Sequence, residues 1–115
     1  MPTISFLFFS GPYQSEGPET IIELANAALD KGINVKIFCY MAAVNCVKTG
    51  QKKVPGVVNI EEKFKELIAK GTEIRLCTLC MLVRGTKNYI EGAKRAGTPD
   101  ILDMVEESDK VLVIS

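Results

Sequence analysis

Glu73-Ile74-Arg75-Leu76, running straight into Cys77-Thr78-Leu79-Cys80-Met81-Leu82-Val83-Arg84-Gly85, is the stretch on which the fold turns. Glu73 to Leu76 reads as a short strand, and Cys77 to Val83 follows it as a predicted helix. A strand that hands over directly to a helix suggests a β–α–β unit. Its neighbours are then expected to pair in parallel through right-handed crossovers.

The flanking sequence repeats this alternation. Ile4-Ser5-Phe6-Leu7-Phe8-Phe9 is a continuous apolar run bounded by Ser10-Gly11-Pro12, as in a strand buried on both faces. Gly17-Pro18 opens a helix, with proline at its first position. Ile21, Leu24, Ala25 and Ala28 form its apolar side, and Gly32 ends it. Ile33 to Tyr40 is a second strand, with Val35, Ile37 and Cys39 on one side and Phe38 and Tyr40 on the other. Ala42-Ala43-Val44 suggests a helical turn, and Gly50 to Gly56 a polar loop. Asn59 with Glu62 marks a capping-box-like helix start. Ile60, Phe64, Leu67 and Ile68 follow as that helix's apolar face, and Gly71 closes it.

Residues 86–97 are ambiguous, with Tyr89-Ile90 a candidate short strand or part of a frayed helix. Thr98-Pro99 is expected to cap a helix from Asp100 to Glu107, and Val111 to Ile114 to form the last strand. The expected product is a three-layer α/β/α domain over residues 1–115, with a mainly parallel sheet of about five strands. Chemistry on such sheets gathers at the carboxyl ends of the strands. The loops there are Ser10 to Glu16, Met41 to Lys53 and the segment beginning at Cys77.

Composition narrows the chemistry. The chain has 115 residues, 47% of them hydrophobic, enough for one core without metal or disulfide staples. Fourteen Lys and Arg balance fourteen Asp and Glu, so no basic stripe points to nucleic acid. No apolar run approaches the roughly 20 residues of a spanning helix. The start, Met1-Pro2-Thr3-Ile4-Ser5, lacks a charged leader and a cleavage site. A cytoplasmic protein is therefore expected, with its four cysteines reduced and catalytic, metal-binding or buried. There is no histidine, which excludes Ser-His-Asp and Cys-His mechanisms and His-containing zinc sites within this chain.

Attention falls on Cys77, where a strand ends and a helix begins. Helix starts offer unpaired N–H groups and partial positive charge, and cysteines placed there can fall from a pKa of about 8.5 to roughly 3.5–7.5. Cys80, three residues on, would share a helix face with it at roughly 5–6 Å between Cβ atoms. It is a candidate resolving or assisting thiol, or a packing residue. Arg84 lies about 10 Å along the axis from Cys77; Arg75 and Lys87 are other nearby positive charges. Cys39, inside a strand, reads as core, and Cys46 reads either way. A four-thiolate zinc or iron–sulfur site from Cys39, Cys46, Cys77 and Cys80 is disfavoured, because a spacing of seven is not a second Cys-x-x-Cys knuckle. Gly50-Gln51-Lys52 is no phosphate loop. Glu61-Glu62 and Glu106-Glu107 read as solvated helix ends.

Cys77, then six residues, then Arg84-Gly85, with the closing Asp109-Lys110-Val111-Leu112-Val113-Ile114 and the opening strand before Gly11-Pro12-Tyr13, resembles the DsrE/TusD-like (DsrEFH-like) sulfur-relay family along nearly the whole chain. The resemblance implies a parallel α/β/α fold and a persulfide carried on one cysteine, which maps onto Cys77, and passed to a partner thiol. It further implies a homotrimer or homohexamer working beside a TusA-like carrier, and no cofactor. Met41-Ala42-Ala43-Val44 departs from the Asp-Gly-Val frequent in that family's corresponding loop. The expected function is a sulfurtransferase-like persulfide carrier acting through Cys77. The alternatives are a dithiol redox protein using Cys77 and Cys80, or a non-catalytic assembly or metal-binding subunit.

Overall fold

The computed structural model describes residues 2–115. Five parallel strands form one sheet: β1 (Thr3–Phe8), β2 (Asn34–Cys39), β3 (Glu73–Cys77), β4 (Lys94–Ala96) and β5 (Lys110–Ile114), in the order β4-β3-β2-β1-β5. Four helices connect them: α1 (Gly17–Asp30), α2 (Ile60–Ala69), α3 (Thr78–Arg84) and α4 (Pro99–Glu107). A 3-10 helix spans Met41–Val47 after β2.

Register explains how the two sheet faces differ. Phe6 pairs with Ile37 and Ile37 with Ile74; Phe8 pairs with Cys39 and Cys39 with Leu76. In parallel pairing these rows point to one face, and all six side chains are buried. The Phe64 ring of α2 stacks over Phe8 with centroids 6.3 Å apart, so α1 and α2 close this side. The opposite face carries the row Ser5, Lys36, Glu73 beneath α4. Ser5 Oγ is hydrogen-bonded to Ser108 Oγ, and Lys36 ion-pairs with Glu107 and with Glu73 at 3.6 Å. The sheet is thus apolar on one face and partly polar on the other, and β1 is covered on both faces, as its apolar run suggests, with Ser5 and Phe6 both 0% exposed.

Local chemistry accounts for most of the boundaries. The Asn59 side chain accepts the N–H of Glu62 at 3.0 Å, capping α2 as its spacing predicts. On α1 the buried stripe is Ile21, Ile22, Ala25 and Ala28, while Leu24 sits on its flank and is 39% exposed rather than inward. Gly17 lets α1 approach the end of β1, because a Cβ there would meet Ser10 Oγ at 2.5 Å. Thr98 makes no side-chain cap on α4; Asp100 Oδ2 instead accepts the Gly97 N–H at 2.7 Å.

Residues 86–97 hold the fourth strand, but not at Tyr89-Ile90. Tyr89 makes an isolated antiparallel bridge to Lys48, and β4 is Lys94–Ala96. Among the described residues no helix is long and apolar enough to cross a membrane.

Candidate functional site

Cys77 is the last residue of β3 and the N-cap of α3. Its backbone is extended (φ −64°, ψ 115°), which turns the side chain back over the helix start, where Sγ accepts the N–H of Cys80 at 3.5 Å. The helical stretch expected to begin at Cys77 therefore begins one residue later, with the cysteine as its cap. Cys77 is 2% exposed.

Cys80 occupies the next position outward and is half-buried. Its Sγ accepts the N–H of Met41 at 3.2 Å, and the Cys77 thiol is its neighbour at the helix start. Burial pushes the Cys80 thiol above its ordinary value and the Cys77 contact adds to this, while the Met41 N–H and the Arg84 charge act in the opposite direction. Met41 makes its contact from a left-handed backbone, φ 53°, a conformation uncommon for a non-glycine residue and found where surrounding structure enforces it. Nothing in the local sequence signals this donor.

The other end of the Cys77…Arg84-Gly85 stretch is a helix stop. Gly85 takes a left-handed conformation (φ 70°, ψ 20°), donating its N–H to Leu82 O at 3.3 Å, and Thr86 donates its N–H to Met81 O at 2.9 Å. The motif thus encodes both caps of one short helix, with Arg84 in its last turn. Arg75 is already committed to Glu73, through Nε at 3.0 Å.

The other two cysteines are enclosed differently. Cys39 is wholly buried in the core, and burial alone pushes its thiol up to about 12. Cys46, in the 3-10 helix, is buried and donates its S–H to Ser10 O at 3.5 Å. Burial raises it strongly. The structure therefore gathers Cys77 and Cys80 at one point and gives Cys39 and Cys46 packing roles. Among the described residues no three Cys, Asp or Glu side chains assemble as a metal-ligand set.

A polar hub unmarked in the sequence fixes the loop beside the site. Gln51 Nε2 donates to the carbonyls of Asn45, Cys46 and Lys48, and its Oε1 accepts from the Glu61 N–H at 3.3 Å and the Tyr13 hydroxyl at 3.3 Å. The Tyr13 hydroxyl also donates to Val58 O and accepts the Ile60 N–H. Thr86 donates to Asn45 Oδ1 at 2.6 Å, tying the segment after α3 to the 3-10 helix. Outside this frame an apolar rim stands in solvent: Leu79, Leu82 and Val83 of α3 are 66%, 71% and 77% exposed, and Met41 49%.

The chain matches the DsrE/DsrF-like family over residues 3–114. It is similar to two uncharacterised archaeal proteins. MK0008 of Methanopyrus kandleri is 33% identical over 111 residues, covering 95% of this chain and 91% of the other. MJ0989 of Methanocaldococcus jannaschii is 36% identical over 103 residues, covering 88% and 90%. The crystal structure of the YchN protein from Escherichia coli superposes with a TM-score of 0.91 at 27% identity, covering 99% of this chain and 100% of that one. A Bacteroides thetaiotaomicron protein of unknown function, BT1422, shares the fold at 16% identity, with a TM-score of 0.71 and coverage of 97% and 94%. The chain belongs to the DsrE/DsrF-like family, whose members are generally associated with sulfur relay.

Proposed function

We propose that this member of the DsrE/DsrF-like family is a sulfurtransferase-like carrier that accepts sulfane sulfur as a persulfide on Cys77 and delivers it to a partner thiol. The observation that carries the reading is Cys77 itself, at the carboxyl end of a central-sheet strand, its sulfur accepting an N–H from the helix it caps. In the loading step the Cys77 thiolate attacks the outer sulfur of a donor R–S–SH. The S–S bond breaks, R–S⁻ leaves, and Cys77 becomes the persulfide. Delivery is the same exchange run toward an acceptor thiolate. Neither step needs an oxidant, a histidine or a cofactor.

Burial of Cys77 protects such a persulfide from adventitious thiols and requires its sulfur to pass beside Cys80 and Met41. The exposed rim of Met41, Leu79, Leu82 and Val83 is the surface that a TusA-like carrier, or a neighbouring copy in a trimer or hexamer, would cover during transfer. A cytoplasmic setting, where thiols are kept reduced, suits a protein that works through a free cysteine. Sulfur-atom mass gain on incubation of the reduced protein with inorganic polysulfide tests the reading. The wild type is expected to gain it and Cys77→Ser to lose that gain; undiminished labelling of Cys77→Ser rules the reading out.

A dithiol redox couple is the second reading, favoured by the placement of Cys77 and Cys80 at one helix end, where Cys77 Sγ accepts the Cys80 N–H at 3.5 Å.

A further inference from the structure

We infer that Cys80 is a built-in discharge thiol, which attacks a persulfide held on Cys77, expels hydrosulfide and leaves a Cys77–Cys80 disulfide. The inference rests on the persulfide reading above and concerns the fate of the sulfur once loaded.

Capping puts Cys77 Sγ 3.5 Å from the backbone nitrogen of Cys80, which sets both residues at the same helix end, three positions apart. A persulfide on Cys77 keeps its inner sulfur where the present Sγ stands, within reach of Cys80. No other thiol competes: Cys39 lies in the core beneath α2, and Cys46 points at Ser10 O.

The step balances without an added oxidant. Cys80 loses its proton, its thiolate attacks the inner sulfur of Cys77–S–SH, and the bond to the outer sulfur breaks. That sulfur departs as HS⁻ with the bonding electron pair. The two protein sulfurs are oxidised from thiol level to disulfide, and the sulfane sulfur is reduced to sulfide. A dithiol reductant is then needed to restore the carrier.

The surroundings of Cys80 make this discharge conditional. Burial and the Cys77 contact hold its proton on, while the Met41 N–H and Arg84 favour its release. On α3 the only other ionisable side chain is Arg84, and on the 3-10 helix it is Cys46, which faces away. On β3, Glu73 and Arg75 pair with each other. At neutral pH the persulfide should survive long enough to meet its acceptor. As pH rises above the ordinary thiol range, Cys80 deprotonates and discharge accelerates. A partner covering Met41 changes the donor on Cys80 and so the same balance.

The test loads the full chain with inorganic polysulfide, removes excess donor, and follows free sulfide and intact mass as pH is stepped from neutral to alkaline. The wild type is expected to release one sulfide per loaded chain and to end two hydrogens lighter than the reduced protein, with the rate rising with pH. Cys80→Ser and Cys80→Ala, whose backbone N–H still faces Cys77, are expected to retain loaded sulfur at least tenfold longer and to form no disulfide in peptide 76–84. Equal persistence in wild type and both variants, or sulfide release without loss of two hydrogens, overturns the discharge role while leaving the carrier reading in place. Failure of wild type and variants alike to take up sulfur overturns both.

Discussion

Two pairs of cysteines lie near the carboxyl edge of the same sheet and differ in what points at their sulfur. Cys77 Sγ and Cys80 Sγ each accept a backbone N–H. Cys46 Sγ does the opposite, donating its proton to a carbonyl, and Cys39 is sealed among apolar side chains. The carbonyl facing Cys46 and the hydrocarbon around Cys39 leave those two sulfurs enclosed, and burial holds both as thiols. Residue type and sheet position are shared, so local hydrogen bonding and enclosure separate the pair proposed to handle sulfur from the packing pair.

Alkylation kinetics should expose the contrast most strongly. Cys80, half-buried, should react with iodoacetamide in the native protein. Cys39 and Cys46 should react only through opening of the core, on the order of a thousandfold or more slowly for a domain of ordinary stability. Comparable rates at all positions would dissolve the distinction.

Next in size is a pH effect. Cys39 keeps its proton in the fold up to about 12, against an ordinary value of 9.0. The unfolded chain therefore gives up this proton first, binds fewer protons than the native state between those values, and gains stability relative to it. The contribution is fully present below pH 9 and is lost as pH climbs toward 12, at no more than about 1.4 kcal/mol per unit. Urea melts across that range should show the slope in wild type and a shallower one in Cys39→Val.

Smaller effects should follow from single substitutions. Cys39→Ser leaves a hydroxyl in an apolar pocket and should cost about 1–3 kcal/mol in denaturant melts, with sulfur uptake per folded molecule unchanged. Asn59→Ala, which removes the α2 cap remote from the thiols, should cost about 1 kcal/mol and leave all four alkylation rates in the same order.

Much of this arrangement is readable from the chain. The apolar runs of β1 and β2, the Asn59 cap and the strand-to-helix passage at Cys77 are local signals, and each gives its element within a residue or two. β4 escapes because it is three residues long, Lys94-Arg95-Ala96, with charges that suit a sheet edge and no apolar alternation. Tyr89-Ile90 has the apolar character of a strand, yet Tyr89 makes only a bridge to Lys48. At the site, the capping of α3 by Cys77 follows from spacing. The Met41 N–H on Cys80 and the Gln51 hub depend on where three loops meet, which no local pattern encodes.

Trypsin divides the two pairs cleanly, since peptide 37–48 carries Cys39 and Cys46 and peptide 76–84 carries Cys77 and Cys80. Locating the added sulfur after brief polysulfide treatment at neutral pH, with alkylation to trap it, therefore decides whether Cys77 is the acceptor. The extra sulfur atom is expected on peptide 76–84, at Cys77, and none on peptide 37–48. Sulfur on peptide 37–48, or on Cys80 with Cys77 unmodified, would contradict it.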